Sequence, residues 1–203
     1  MINLNKNKYT GYYLLIILLI VWHLFVIKFL FNPKVNFIYD YYYVRGSIDK
    51  WNRGLVKSYS LGDYINFKKG GNSQEYSLGG FSNPEKWGTW TSSNRAYIIF
   101  NINQKVANDV NMILYAIPFV NNKNKNMNLY ININNVDVIK YQFESDKQGK
   151  KKLSFIIKKE IINKSNRNII VELIIDKPIS PMELSLSNDF RKLGIGIECM
   201  CIK

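Results

Sequence analysis

Residues 129–143 read LYININNVDVIKYQF, and this stretch decides the fold. Apolar and polar residues alternate in LYINI, and a period of two is typical of a half-buried β-strand. Asn134-Asn135 suits a tight hairpin turn, and the residues from Val136 to Phe143 are again rich in β-branched and aromatic side chains. The stretch therefore predicts two strands joined by a short turn.

The same short period recurs on both sides of this hairpin. About eight strands in all, separated by Gly- and Asn-rich turns and with no sustained helical period, predict an all-β domain over residues 55–203. We interpret it as a β-sandwich, jelly-roll-like in type. The basic run KQGKKK at 147–152 is predicted to be a solvated hairpin turn, with contact to anionic lipid or glycan phosphate as the alternative. The further strands are predicted at Tyr64–Phe67, Arg95–Ile102, Val110–Val120, Leu153–Ile157, Asn168–Ile175 and Leu193–Ile202.

The N-terminal part of the chain carries a different signal. The run from Tyr12 to Phe31, YYLLIILLIVWHLFVIKFLF, is about 20 residues long and matches the ~30 Å hydrocarbon core of a bilayer. It is longer than the apolar region of a secretory signal peptide, and no small-residue cleavage pattern follows it. The sequence therefore predicts one N-terminal transmembrane helix at 12–31, retained as a signal anchor. A short tail at 1–11 precedes it, and an aromatic neck at 32–54 leads to the sandwich.

Two polar residues interrupt this apolar run. Lys28, near its end, can extend its amine to the headgroups, whereas His23 lies deeper. We consider both as hypothetical contacts with a membrane partner; for His23 the simpler interpretation is a helix–helix contact or a tolerated polar residue. Lysines flank both ends of the run, so the positive-inside rule is nearly balanced. We expect a single-pass protein of the inner or cytoplasmic membrane with its C-terminal domain outside the cytoplasm.

Charge and chemistry-bearing residues exclude several classes of function. The net charge of +13 comes from scattered lysines in a chain also rich in Asn and Ile, as AT-rich codon usage produces, and no nucleic-acid partner is predicted. Cys199 and Cys201 share one strand face, where a disulfide between them would be strained. Because His23 is the only histidine, neither a metal site nor a Ser-His-Asp triad is predicted in the sandwich, and no cofactor is expected.

One segment has the composition of a shaped loop. Residues 78–91 read LGGFSNPEKWGTWT, with glycines, a proline, a carboxylate and two tryptophans. Aromatic faces stack on sugar rings while a nearby carboxylate fixes hydroxyl groups, so Trp87, Trp90 and Glu85 are candidate glycan-binding residues. The alternative is that the tryptophans plug the open end of the sandwich and an arginine neutralises Glu85.

A second segment, SPMELSLSNDFRKLG at 180–194, leads into the last strand. Asp189 and Arg191 alternate there with apolar residues, and such a pair can join two loops by charge-assisted hydrogen bonds. A bridge from Glu85 to Arg191, or from Asp189 to Arg95, is the structural interpretation; a ligand-binding role for Asp189 and Arg191 is the alternative. Glu85 and Asp189 are also the two carboxylates that a glycosidase would need.

The segments LGDYINF at 61–67, GFSNPEKWGTWT at 80–91 and SLSNDFRKLGIGI at 185–197 carry a resemblance. Together they resemble an extracytoplasmic module of bacterial membrane proteins of cell-surface polysaccharide assembly, over about Leu55–Ile202. In those proteins the module lies beside polytopic glycosyltransferases or phosphoglycerol-transferase-like enzymes. The resemblance implies a glycan-handling context rather than a reaction. Unlike those proteins, this chain is predicted to have one membrane helix and no catalytic domain.

These observations support three hypotheses. The first is a membrane-anchored, non-catalytic accessory protein of cell-envelope glycan assembly, whose carbohydrate-binding-like domain takes a glycan at Trp87 and Trp90. The second is an interaction subunit that docks on a polytopic glycosyltransferase or another membrane complex, for which His23 and Lys28 would matter more. The third is a glycan-modifying enzyme that uses Glu85 and Asp189.

Overall fold

The structure is a computed structural model, and it describes residues 6–31, 56–147 and 149–203. The chain divides into two compact units, residues 1–52 and residues 53–203. The neck predicted at 32–54 lies outside the described residues.

The first unit contains a single long helix in its described part, α1 (Lys6–Phe31), which begins before Tyr12. Its stretch Gly11–Lys28 is long and apolar enough to cross a membrane. The side chains of residues 11–28 are all exposed, so the helix presents apolar surface on every side rather than along one stripe.

The second unit is an all-β, jelly-roll-like sandwich of two sheets. One sheet has the order β1-β5-β10-β7-β8, with β3 also paired to β5, and the other has the order β2-β11-β6-β9, with β4 also paired to β11. The chain changes sheet at every connection between consecutive strands except β7 to β8. The strands are β1 (Ser58–Tyr59), β2 (Tyr64–Asn66), β3 (Ser77–Gly79), β4 (Thr89–Trp90), β5 (Arg95–Ile102), β6 (Val110–Pro118), β7 (Asn126–Ile133), β8 (Asp137–Glu144), β9 (Lys151–Ile157), β10 (Asn168–Ile175) and β11 (Ile195–Ile202).

Alternating burial explains why these residues form two packed sheets. In β7, Met127, Leu129, Ile131 and Ile133 are buried and the residues between them are not. β9 repeats this pattern, and the buried residues of both sheets form one hydrophobic core. Burial of apolar side chains between two sheets is the main stabilising contribution to such a fold.

The predicted hairpin at 129–143 is present as β7 and β8. Asn134 and Asn135 both have positive φ, 51° and 58°, as the twist of a two-residue hairpin turn requires. The prediction for residues 147–152 was wrong: β8 and β9 belong to different sheets, so their connection crosses the sandwich, and Lys151 and Lys152 are part of β9. A short helix, α2 (Lys159–Lys164), separates β9 from β10.

Candidate functional site

The Trp-containing segment folds back on itself beside the last strand. The backbone N–H of Ser82 donates to the carbonyl oxygen of Trp90 at 2.8 Å, and that of Glu85 donates to the carbonyl oxygen of Gly88 at 2.8 Å. β4 then pairs with β11 and brings Trp90 opposite Gly196. The loop therefore holds its tryptophans against one end of β11.

Two threonines fix the segment from the inside. Thr89 and Thr91 flank Trp90, and both are buried. The Thr89 hydroxyl donates to the carbonyl oxygen of Phe67, and the Thr91 hydroxyl oxygen accepts the backbone N–H of Ile195 at 2.9 Å. Because side chains of a strand alternate between its faces, burial of the threonines directs Trp90 to the outer face of the sheet.

The two indole rings pack on one another and over a glycine. Their centroids are 5.1 Å apart at an interplanar angle of 68°, an edge-to-face arrangement. A Cβ atom at Gly196 would lie 2.3 Å from Trp87 Cη2 and 3.0 Å from Trp90 Cε3, so only glycine leaves room for both rings. A third aromatic ring, that of Phe119, packs edge-to-face on Trp90, with the two ring centroids 5.8 Å apart. Trp87 and Trp90 are each partly buried, so the rings retain some exposed surface.

A network of hydrogen bonds fixes the indole ring of Trp87. The Trp87 Nε1–H donates to Glu85 Oε2 at 3.0 Å, and Arg191 Nη1 donates to Glu85 Oε1 at 3.0 Å. Arg191 also donates from Nε and Nη2 to the Asp189 carboxylate, with the shortest distance 2.6 Å. The five predicted ligand-binding residues thus meet in one cluster, and the predicted Glu85–Arg191 bridge is present.

The charges of this cluster are set by the arginine. Hydrogen bonds from Arg191 hold the pKa of the Asp189 carboxyl below its usual value. The carboxylates of Asp189 and Glu85 in turn raise the pKa of Arg191, although burial of the guanidinium alone would lower it. The cluster therefore holds two carboxylates around one guanidinium, a formal charge of about −1.

This arrangement suits positioning better than catalysis. A glycosidase acid must keep its proton near neutral pH, which requires a raised carboxyl pKa. The pKa of Asp189 is lowered, which does not suit it to be that acid, and Glu85 and Asp189 bind the same guanidinium instead of flanking a substrate bond. The geometry gives the glycan-modifying hypothesis no support.

The alternative bridge from Asp189 to Arg95 does not form. Arg95 Nη1 instead donates to Glu172 Oε1 at 2.6 Å, and the Tyr97 hydroxyl donates to the same oxygen at 2.8 Å. Glu172 is 6% exposed, so it is a buried carboxylate paired with a cation on the neighbouring strand. Within the described residues, no group of three or more His, Cys, Asp or Glu side chains is arranged to hold a metal ion.

The two polar residues of α1 lie on an exposed helix. His23 Nδ1 is 2.7 Å from the carbonyl oxygen of Leu19, one turn earlier in the same helix. Lys28 is exposed in the last turn. Both residues belong to the first unit, whereas the tryptophan cluster belongs to the second.

Sequence reasoning missed Gly196, Phe119 and Phe190. Gly196 is the second glycine of LGIGI, and a glycine inside a strand signals close approach of another group. Phe119 follows Pro118 at the end of β6, and its position depends on the register between β6 and β11. Phe190 lies between Asp189 and Arg191 and is 76% exposed, which the sequence did not indicate.

Comparison with known proteins gives fold likenesses and one family. The CBM36-1 domain of a multidomain xylanase from the hindgut metagenome of Trinervitermes trinervoides is 14% identical, with 70% of this chain and 95% of that chain covered and a TM-score of 0.38. The C-terminal CBM6 of LamC, a laminarinase from Zobellia galactanivorans, is 10% identical, with 70% and 99% covered and a TM-score of 0.39. A CBM36 carbohydrate-binding module, solved with calcium and xylotriose, is 14% identical, with 63% and 88% covered and a TM-score of 0.36.

At these identities and TM-scores, nothing about ligands or site residues is carried over to this chain. No curated protein matches the sequence. The family described as a domain of unknown function, DUF7024, matches residues 57–203, which includes every strand of the sandwich and the whole tryptophan cluster. The chain therefore belongs to the DUF7024 family.

Proposed function

We propose that this chain is a membrane-anchored, non-catalytic accessory protein of cell-envelope glycan assembly, and that its sandwich binds a glycan at Trp87 and Trp90. One observation carries the proposal. Two partly exposed indole rings are held in a fixed edge-to-face geometry, over Gly196 and beside the Glu85–Arg191–Asp189 network.

Stacking explains why such a pair suits a sugar. The C–H face of a pyranose is apolar, and an indole that is already immobilised loses little further entropy when the sugar covers it. The carboxylates of Glu85 and Asp189 have lone pairs beyond those used by Arg191, and these can accept sugar hydroxyl groups. A ligand would therefore meet a hydrophobic platform with polar groups at its edge.

The helix α1 supports the anchoring part of the proposal. Its apolar side chains face outward on every side, which is unfavourable in water and favourable in the hydrocarbon core of a bilayer. In this proposal the helix crosses the inner or cytoplasmic membrane once, and the sandwich lies outside the cytoplasm, where envelope polymers are assembled.

Glycan binding to the full chain in detergent micelles tests the sugar site. We expect a glycan array to identify a ligand, and Trp87→Ala and Trp90→Ala each to weaken its binding about tenfold by calorimetry, equivalent to about 1.4 kcal/mol. Tyr64→Ala is the matched control, because Tyr64 is an exposed aromatic residue of β2 that lies opposite Cys201, at the other end of β11 from Gly196. Unchanged binding by folded Trp87→Ala and Trp90→Ala variants would contradict the proposal.

His23 favours a second candidate, an interaction subunit that docks on a polytopic glycosyltransferase. An exposed imidazole in an apolar helix is costly in lipid and is satisfied when a neighbouring helix supplies a polar group. Co-purification from native membranes distinguishes the candidates: a stoichiometric partner that is lost with His23→Leu or Lys28→Leu, but retained with Trp87→Ala, supports the subunit.

A further inference from the structure

The connection between β10 and β11 exposes apolar side chains. Ile179 and Leu193 form an isolated bridge with backbone hydrogen bonds of 3.1 and 3.0 Å, which closes residues 180–192 into one loop, here called the β10–β11 loop. Three of its apolar side chains are exposed: Met182 is 53%, Leu186 50% and Phe190 76% exposed. Phe190 has the largest exposed fraction among the large apolar side chains of the described sandwich.

The loop that exposes these side chains is held together by its own hydrogen bonds. The backbone N–H of Met182 donates to the carbonyl oxygen of Asp189 at 2.9 Å, and that of Leu186 donates to Pro181 at 2.9 Å. The side chain of Glu183 accepts both the N–H and the hydroxyl of Ser180. These hydrogen bonds fix the backbone of the loop that carries the three apolar side chains. They also pair several backbone N–H and C=O groups, which lowers the cost of moving the loop out of water.

The charges around the loop balance, and one cation lies next to its apolar side chains. Within the loop, Glu183 pairs with Lys192 and Asp189 pairs with Arg191, while Glu85 from outside the loop shares Arg191 and leaves one excess negative charge. Lys123 adds a cation from the neighbouring connection, since its Nζ donates to the carbonyl oxygen of Leu184 at 2.7 Å. An apolar patch beside a lysine matches the boundary between lipid chains and phosphate headgroups.

The small number of apolar side chains favours lipid over a protein as the occupant. A stable protein interface involves about 20–30 residues and about 800 Å² per partner around an apolar centre, whereas this loop offers three partly exposed apolar side chains. Shallow insertion into lipid has no such minimum, because each buried methylene contributes by itself. A tethered domain also meets the bilayer at high effective concentration.

We propose that the β10–β11 loop inserts Met182, Leu186 and Phe190 into the surface of a lipid bilayer, with Lys123 at the level of the phosphates. The inference rests on the membrane anchor proposed above and is independent of the sugar site. Because Asp189 and Arg191 belong both to this loop and to the tryptophan cluster, insertion would bring the sugar site to the membrane surface.

Photo-crosslinking of the full chain in nanodiscs of phosphatidylcholine and phosphatidylglycerol tests the insertion. Phe190→p-benzoylphenylalanine replaces one aromatic side chain by a larger photoreactive one at an exposed position, so the fold is preserved. We expect mass spectrometry to detect a lipid adduct at position 190. No lipid adduct is expected when p-benzoylphenylalanine instead replaces Tyr64, an exposed aromatic residue of the sandwich.

The same substitution at Leu19, in α1, separates the loop from the anchor. Adducts at both 19 and 190 support the proposal. A lipid adduct at 19 but not at 190, or a crosslink from 190 to protein, overturns the loop insertion and leaves the anchor intact. Absence of lipid adducts at both positions overturns both. Adducts that persist in a Trp87→Ala background show that insertion does not depend on the sugar site.

Discussion

At the scale of single residues, Gly196 determines where both tryptophans lie. Gly196→Ala places a Cβ atom 2.3 Å from the present position of Trp87 Cη2, so the indole must move and its bond to Glu85 must lengthen or break. We expect the free energy of unfolding to fall by about 1–3 kcal/mol, as for other overpacked sites. Urea unfolding measures the loss, and a shift in tryptophan fluorescence reports the displaced ring.

A double-mutant cycle shows whether this cost comes from the indole. In a Trp87→Ala background the closest contact of the added methyl group is gone and only its 3.0 Å approach to Trp90 Cε3 remains, so Gly196→Ala should then cost clearly less. An equal cost in both backgrounds would show that Trp87 is not what opposes the substitution.

Arg191 gives the domain a dependence on pH. The pKa of the Asp189 carboxyl lies below its usual 3.8 in the folded chain, because Arg191 binds the ionised form. The resulting stabilisation is present above pH 3.8 and is lost as the pH falls below it towards the folded pKa, since the unfolded chain takes up the proton first. We expect Arg191→Gln to destabilise the domain at neutral pH and to destabilise it less under acid conditions.

Urea unfolding at a series of pH values measures this difference. Lys192→Gln is the matched control, because Lys192 is an exposed cation of the same loop that pairs with Glu183 at 3.7 Å and not with Asp189. If Arg191→Gln and Lys192→Gln lose the same amount of unfolding free energy as the pH falls, Arg191 does not stabilise the ionised carboxylate of Asp189.

The site could be predicted in part from residue chemistry. Opposite charges in two distinctive segments suggested two alternative bridges, of which Glu85–Arg191 forms and Asp189–Arg95 does not. Phe119 and Gly196 could not be assigned in this way, because their contact with the tryptophans depends on how β4, β6 and β11 are aligned. Strand register is set by the whole sheet, so a local sequence window does not contain it.

At the scale of elements, the turn between β7 and β8 offers a test within one dipeptide. Asn134 and Asn135 both adopt left-handed backbone geometry. The side chain of Asn134 also bonds to β10, because its Oδ1 accepts the backbone N–H of Ile170 at 2.7 Å and its Nδ2 donates to the carbonyl oxygen of Asn168 at 3.0 Å. We expect Asn135→Gly to stabilise the domain by about 0.5 kcal/mol, since glycine adopts this geometry without strain.

Asn134→Gly removes the same strain but also two hydrogen bonds to β10. We therefore expect it to destabilise the domain by about 1 kcal/mol. Thermal unfolding of the two variants measures both changes, and a gain in stability with Asn134→Gly would show that its side-chain bonds contribute little.

The long strands could be predicted because their runs of apolar, β-branched and aromatic residues extend over many positions. Arg95–Ile102 and Asn168–Ile175 have the bounds that the sequence indicated. β1, β3 and β4 have two or three residues each, too few for any period to be recognised. The basic connection at 147–152 was misread because a lysine- and glycine-rich segment is equally suited to a hairpin and to a crossing between sheets, and only the pairing partners distinguish them.

At the scale of the whole molecule, the proposed function requires α1 to hold the chain in a membrane. We expect the full chain to remain with membranes after carbonate extraction. Ile16→Lys combined with Ile20→Lys should release it, since each charge near the centre of a membrane helix costs about 2.5–3.5 kcal/mol. The conservative pair Ile16→Leu and Ile20→Leu is the matched control.

Orientation is a separate test of the same proposal. Alkaline phosphatase, which is active only outside the cytoplasm, should be active when fused after Lys203, because the proposal places the sandwich on that side of the membrane. A fusion that is inactive but still membrane-bound would place the tryptophan cluster in the cytoplasm. The glycan would then have to be a cytoplasmic precursor rather than an assembled envelope polymer, since only groups on the same side of the bilayer can reach Trp87 and Trp90.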